Sequence, residues 1–145
     1  MPALVPFGPL LEVLHYFGII LWVGSVAVLD FRLIGFHRNL PMHKFHLATG
    51  AWVGGALTVG SGLLMFLTYP ALYATNIAFW IKMVLIVAAT LTAVVFHTRH
   101  VTDSHRWDRG KPPPDARLAG AASLVLWFGV LIAGRLISYV GFSAG

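Results

Sequence analysis

Three ionisable side chains, His15, Lys82 and Arg135, fall inside long apolar stretches of this sequence. A charge at the centre of a bilayer-spanning helix costs about 2.5–3.5 kcal/mol on insertion scales, so such residues mark function by default. Neutral imidazole at His15 can ligate a metal or a heme iron, and Lys82 or Arg135 can pair with a heme propionate. Met65 supplies a second axial donor, since His/Met ligation is used in cytochromes. Two other readings use the same residues. Lys82 and Arg135 can snorkel to outer headgroups while Glu12, three residues before His15 and on its helix face, pairs with one of them. Alternatively, two cations against one carboxylate leave a positive surplus. An anionic lipid or substrate would balance it, and a quinone could occupy the same site, with His15 exchanging a proton near neutral pH.

A second set of candidates gathers at the other ends of the same stretches. Six of the seven histidines belong to it: His37, His43, His46, His97, His100 and His105. His46 opens the second stretch and His97 closes the third, which gives them similar depth, as a bis-histidine heme between neighbouring helices requires. Histidines at helix ends also simply cap carbonyls, helped by the dipole, and His43, His46, His97 and His100 could instead form a transition-metal site. His15 and His97, the two candidate metal ligands, lie near opposite faces and so belong to different sites. Asp30 is expected to pair with Arg32 or Arg99. Catalytic constellations are otherwise absent: the chain has no cysteine, no glycine-rich phosphate loop, no HExxH and no paired carboxylates within a stretch. Ser25, Ser61 and Ser123 lack a neighbouring base and are expected to hydrogen-bond between helices.

The elements that must position these groups follow from composition. Of 145 residues 58% are hydrophobic and only 10% charged, with mean hydropathy +0.80. A soluble domain carries about 25% charged residues, so the expectation is a single integral membrane domain over residues 1–145. Four stretches have the roughly 20 apolar residues that a spanning helix needs: Leu10–Leu29, His46–Thr68, Ile77–Phe96 and Leu118–Tyr139. Pro9, Pro41, Pro70 and Pro112-Pro113-Pro114 fall outside them, where helices stop and restart. The fold expected is all-α, a four-transmembrane-helix bundle. The start of the chain lacks a basic n-region, so no cleavable signal peptide is expected.

Charge orients the bundle. Loop one carries Arg32, Arg38 and Lys44, and loop three carries Arg99, Arg106, Arg109, Lys111 and Arg117, so eight of the ten basic residues fall on one side. Loop two, Tyr69–Asn76, has no charge. The positive-inside rule makes the basic side cytoplasmic and places both termini outside. It also accounts for the net charge of +5 without nucleic acid as a partner. The chain reads as two hairpins, each with a basic loop. Helices associate in lipid through small residues, and Gly50, Gly54, Thr58 and Gly62 recur every four residues, with Gly55 and Gly60 beside them. This stripe either packs the bundle or leaves room for a flat cofactor, and it suggests that the second helix is central. Trp22, Tyr69, Trp80, Trp127 and Tyr139 suggest aromatic belts near span ends.

Several segments resemble an uncharacterised family of small bacterial four-helix membrane proteins: Leu14-His15-Tyr16-Phe17-Gly18, Leu29-Asp30-Phe31-Arg32-Leu33-Ile34-Gly35, Phe79-Trp80-Ile81-Lys82, Phe96-His97, Ser123-Leu124-Val125-Leu126-Trp127 and Gly134-Arg135-Leu136-Ile137-Ser138-Tyr139. The matched positions include His15, Lys82, His97 and Arg135. The chain departs from that family at Thr92, where its members often have asparagine, and His46 has no counterpart in its motif. More distantly, the plan is similar to CopD-like copper-resistance membrane proteins and to b-type cytochromes with four core helices. That similarity implies heme b or copper, used for electron transfer or metal handling in the bacterial inner membrane beside a membrane or periplasmic redox partner. A non-catalytic bundle that assists a partner, or binds an anionic lipid or quinone, is the alternative. Self-association is left open.

Overall fold

The computed structural model describes residues 2–35, 45–100 and 114–142. A 3-10 turn, Pro2–Phe7, leads into α1 (Gly8–Ile34). It is followed by α2 (Phe45–Thr68), the one-turn α3 (Pro70–Ala74), α4 (Ile77–His100) and α5 (Pro114–Phe142). Among the described residues there is no strand, and four helices are long and apolar enough to cross a membrane. The chain is an all-α four-helix bundle. In lipid the backbone has no solvent to bond with, and helices of this length satisfy it internally.

The helices outrun the apolar stretches. α1 has 27 residues, about 40 Å at 1.5 Å per residue, and α4 and α5 extend toward the basic loops to His100 and from Pro114. Proline starts these helices rather than breaking them: Pro70 and Pro114 are the first residues of α3 and α5, and Pro9 is the second of α1. Position one has no intrahelical use for an N–H, so proline costs nothing there. Loop two is not merely a loop, because α3 occupies most of it. Asn76 then caps α4: its Oδ1 accepts from Ala78 N at 3.0 Å, while its Nδ2 donates to Ile137 O of α5 at 2.9 Å.

The two hairpins pack as pairs, α1 on α2 and α4 on α5, and α1 joins them by lying along α5. The second helix is therefore not central. Its glycine stripe serves one neighbour, α1, and the inner positions belong to α1 and α5. A Cβ on Gly18 would stand 2.6 Å from Thr58 Oγ1 and 2.7 Å from Thr58 N, so α1 and α2 cross nearly backbone to backbone there. A second close approach lies where a Cβ on Gly120 would meet the Asp30 carbonyl at 2.9 Å. Between these crossings sits the core, Ala89, Trp127 and Val130, with Trp22, Val23, Val26, Leu85, Ile86 and Leu126 packed on it. Trp22 and Trp127 meet edge to face, centroids 5.0 Å apart. They are core residues, not belt residues, while Tyr69, Trp80 and Tyr139 are exposed.

Candidate functional site

His15 is held by α2. Its Nδ1 lies 3.0 Å from the Thr58 carbonyl and 3.0 Å from Ser61 Oγ. A carbonyl only accepts, and the Ser61 hydroxyl is already donating to Leu57 O at 2.6 Å. Both groups therefore accept, and Nδ1 carries the ring proton. Nε2 is left with its lone pair, and Lys82 Nζ donates to it from α4 at 3.4 Å. Ser61 and Thr58 are buried, His15 and Lys82 half-buried. Ser61 is thus an interhelical hydrogen-bonding residue, as expected.

Glycine makes the space for both functional side chains. A Cβ on Gly62 would stand 3.0 Å from His15 Cε1, and one on Gly134 would stand 3.5 Å from Lys82 Nζ. Gly62 belongs to the stripe that sequence had singled out. Here it receives a ring rather than a helix backbone. The pair sits where α1, α2 and α4 converge, beside the seam between α2 and α4, which lacks the extensive packing of the hairpins. At its α3 end the seam is bridged by aromatic rings. Phe66 of α2 stacks on Phe79 of α4 at 5.7 Å, and Tyr73 of α3 lies 6.4 Å from Phe66 and 5.7 Å from Phe79. Below that bridge Val59, seven residues before Phe66, and Met83, four after Phe79, are exposed. The seam is thus bridged by rings at its α3 end, with Val59 and Met83 exposed below the bridge.

Of the expected outer layer, the structure joins two members. Arg135 is exposed and turns along its own helix to Tyr139, its guanidinium 5.3 Å from the ring centroid and its Nη2 3.5 Å from the hydroxyl. Glu12 is exposed, and it acts on Tyr73 rather than on either cation. Burial, then the nearby Glu12, Tyr16 and Tyr69, push the Tyr73 phenol above its ordinary value. Met65 is half-buried one turn beyond Ser61, on the same face of α2. Sequence reasoning did not see Tyr73, because α3 read as loop, nor the Thr58 carbonyl, because a backbone acceptor leaves no trace in residue type.

The inner set is less visible. His46 and His97 lie on the backbone of α2 and α4, and their side chains, like those of Arg32, Arg99 and His100, are outside the described ones. His37, His43 and His105 lie outside the described residues altogether. Asp30 is buried between α1 and α5, with the Ser123 hydroxyl beside its carboxyl. Its expected pairing with Arg32 or Arg99 rests on side chains that are not described. Among the described residues, no three His, Asp or Glu side chains converge as a metal site would need.

Comparison with family models, with curated proteins and with solved structures finds no match to this chain.

Proposed function

We propose that this is a small multi-pass protein of the bacterial inner membrane that holds heme b in the outer half of its bundle and serves electron transfer. One observation carries this reading. His15 spends its Nδ1 proton on Thr58 and Ser61, so the Nε2 lone pair turns toward the α2–α4 seam. A carbonyl on the far nitrogen is the arrangement that fixes the tautomer of ligating histidines and raises their basicity.

The donor set favours heme over copper. A heme brings four nitrogens of its own and asks the protein for one or two ligands, here His15, with Met65 as the candidate for a second. A copper ion would have to take all its protein donors from the chain, and among the described residues no three His, Asp or Glu side chains converge. Lys82, donating to Nε2 without the group, would turn to a propionate. Gly62 lets the imidazole seat against α2, and Nε2 faces the seam beside Lys82. When bound, heme would supply a one-electron centre, and the chain would supply a nitrogen ligand at His15 and a counter-charge at Lys82. The resemblance to CopD-like proteins and b-type cytochromes points the same way. The positive-inside rule puts both termini outside and the site toward the periplasm, where a membrane or periplasmic partner would exchange electrons.

The test is the visible spectrum of protein purified from heme-replete cells. A Soret band with reducible α and β bands, lost in His15→Ala, is the expected result. A colourless protein would sink the proposal.

Lys82 favours a second reading. Its partner among the described residues is His15 Nε2, with no carboxylate in reach, so a quinone oxygen or an anionic headgroup would find both a cation and an imidazole. A colourless protein that retains quinone or anionic lipid, and loses it in Lys82→Met, would select this alternative.

A further inference from the structure

The inner half of the bundle holds a titratable group that the heme reading does not use. Asp30 is 5% exposed and Ser123, facing it from α5, is 3% exposed. The Ser123 hydroxyl lies beside the carboxyl, close enough to act on it as a donor, yet among the described residues neither Asp30 Oδ2 nor Ser123 Oγ completes a hydrogen bond. The backbones press together here at Gly120, and Leu33 and Ile34 of α1 close over that glycine. Orphaned polar atoms at this depth are costly, and natural interiors avoid them.

A metal cation fits poorly, because hard cations take six or more oxygens, and among the described residues one carboxyl and one hydroxyl meet here. A proton needs only the one carboxylate oxygen, with the hydroxyl to share it. We propose that Asp30 is a proton-exchanging carboxyl of the inner half-membrane, with Ser123 as its partner on α5.

The charged surroundings leave that role to Asp30. On α5 the nearest charged groups, Asp115 and Arg117, are exposed. α2 carries no charged residue between Thr49 and Thr68, and α4 none between Met83 and Val95. Arg32, His46, His97, Arg99 and His100 have side chains outside the described ones. The inference is independent of heme, since it involves neither His15 nor Lys82.

Infrared spectroscopy of the protein in lipid bilayers at neutral pH tests it. The expected result is a protonated-carboxyl C=O band that shifts in D2O, is lost in Asp30→Asn, returns displaced in Asp30→Glu and moves in Ser123→Ala. If Asp30→Asn fails to fold, the Ser123→Ala shift decides. No such band in the wild type, a band that survives in Asp30→Asn, or one insensitive to Ser123→Ala would overturn the proposal. So would a band abolished by exchanging potassium for sodium, which would mean a cation site instead.

Discussion

At the scale of single residues, the outer site depends on where one proton sits. His15 keeps it on Nδ1 because two acceptors of α2 surround that nitrogen. Removing one of them should loosen the ring without unfolding the helix. If the bundle holds heme as proposed, Ser61→Ala is expected to weaken its binding by about tenfold, the lower end of what supporting hydrogen bonds contribute to metal sites, while helicity stays unchanged. Titration of the apoprotein with hemin, followed at the Soret band, measures this. Tyr73 gives a different kind of test. Its phenol is held above its ordinary 10.0 by burial and by Glu12, Tyr16 and Tyr69. Between the unfolded and folded values, the unfolded chain has released the proton and the folded one has not. Stability therefore falls as pH rises through that alkaline window, and Tyr73→Phe should flatten the fall, as read from thermal midpoints across pH. His15 and Lys82 were legible in the sequence because ionisable residues stand out in apolar helices. That they touch while Arg135 turns away to Tyr139 was not, because depth along a helix says little about the direction in which a side chain points.

At the scale of elements, the crossing of α1 and α2 fixes the site. The glycine stripe was visible as a four-residue repeat, and it does pack a helix. What spacing could not tell was which helix it meets, or that Gly62 accommodates a ring. A Cβ on Gly54 would stand 2.7 Å from the Gly18 carbonyl and 2.8 Å from Leu21 Cβ. Gly54→Leu should therefore force the helices apart, at a cost of at least about 1–3 kcal/mol by analogy with overpacked cores. It should also remove His15 from its acceptors. Gly60→Leu is the control, since a Cβ there meets nothing within 4 Å and should leave the thermal midpoint in detergent or bilayers unchanged. The tryptophans teach the complementary lesson. Trp22 and Trp127 look like belt residues in a one-dimensional reading, but they pack edge to face in the core beside Ala89.

At the scale of the whole molecule, the four spans and the hairpin pairing were readable from apolar length and from proline and basic residues between spans. The described helices follow that reading closely, because in a bilayer these signals are imposed by lipid thickness and backbone hydrogen bonding rather than by tertiary detail. Orientation can be tested directly, because the chain has no cysteine and any single introduced thiol is unique. A cysteine at Ala3 should react with a membrane-impermeant maleimide added to intact cells, and one at Lys111 should react only after permeabilisation. The reverse pattern would invert the positive-inside assignment and move His15 to the cytoplasmic half.

The hairpin arrangement has a consequence for biogenesis. The first hairpin contains His15 together with Thr58, Ser61 and Gly62, so the imidazole can be oriented before the second half of the chain leaves the ribosome. Lys82 arrives only with α4, and α3 with Tyr73 arrives just ahead of it. Synthesis order thus divides assembly into two stages: an early one that orients the base on α2, and a later one that adds the cation and closes the α3 end with aromatic rings. A planar group recruited in the first stage would meet no steric gate, whereas one recruited afterwards would have to pass between α2 and α4.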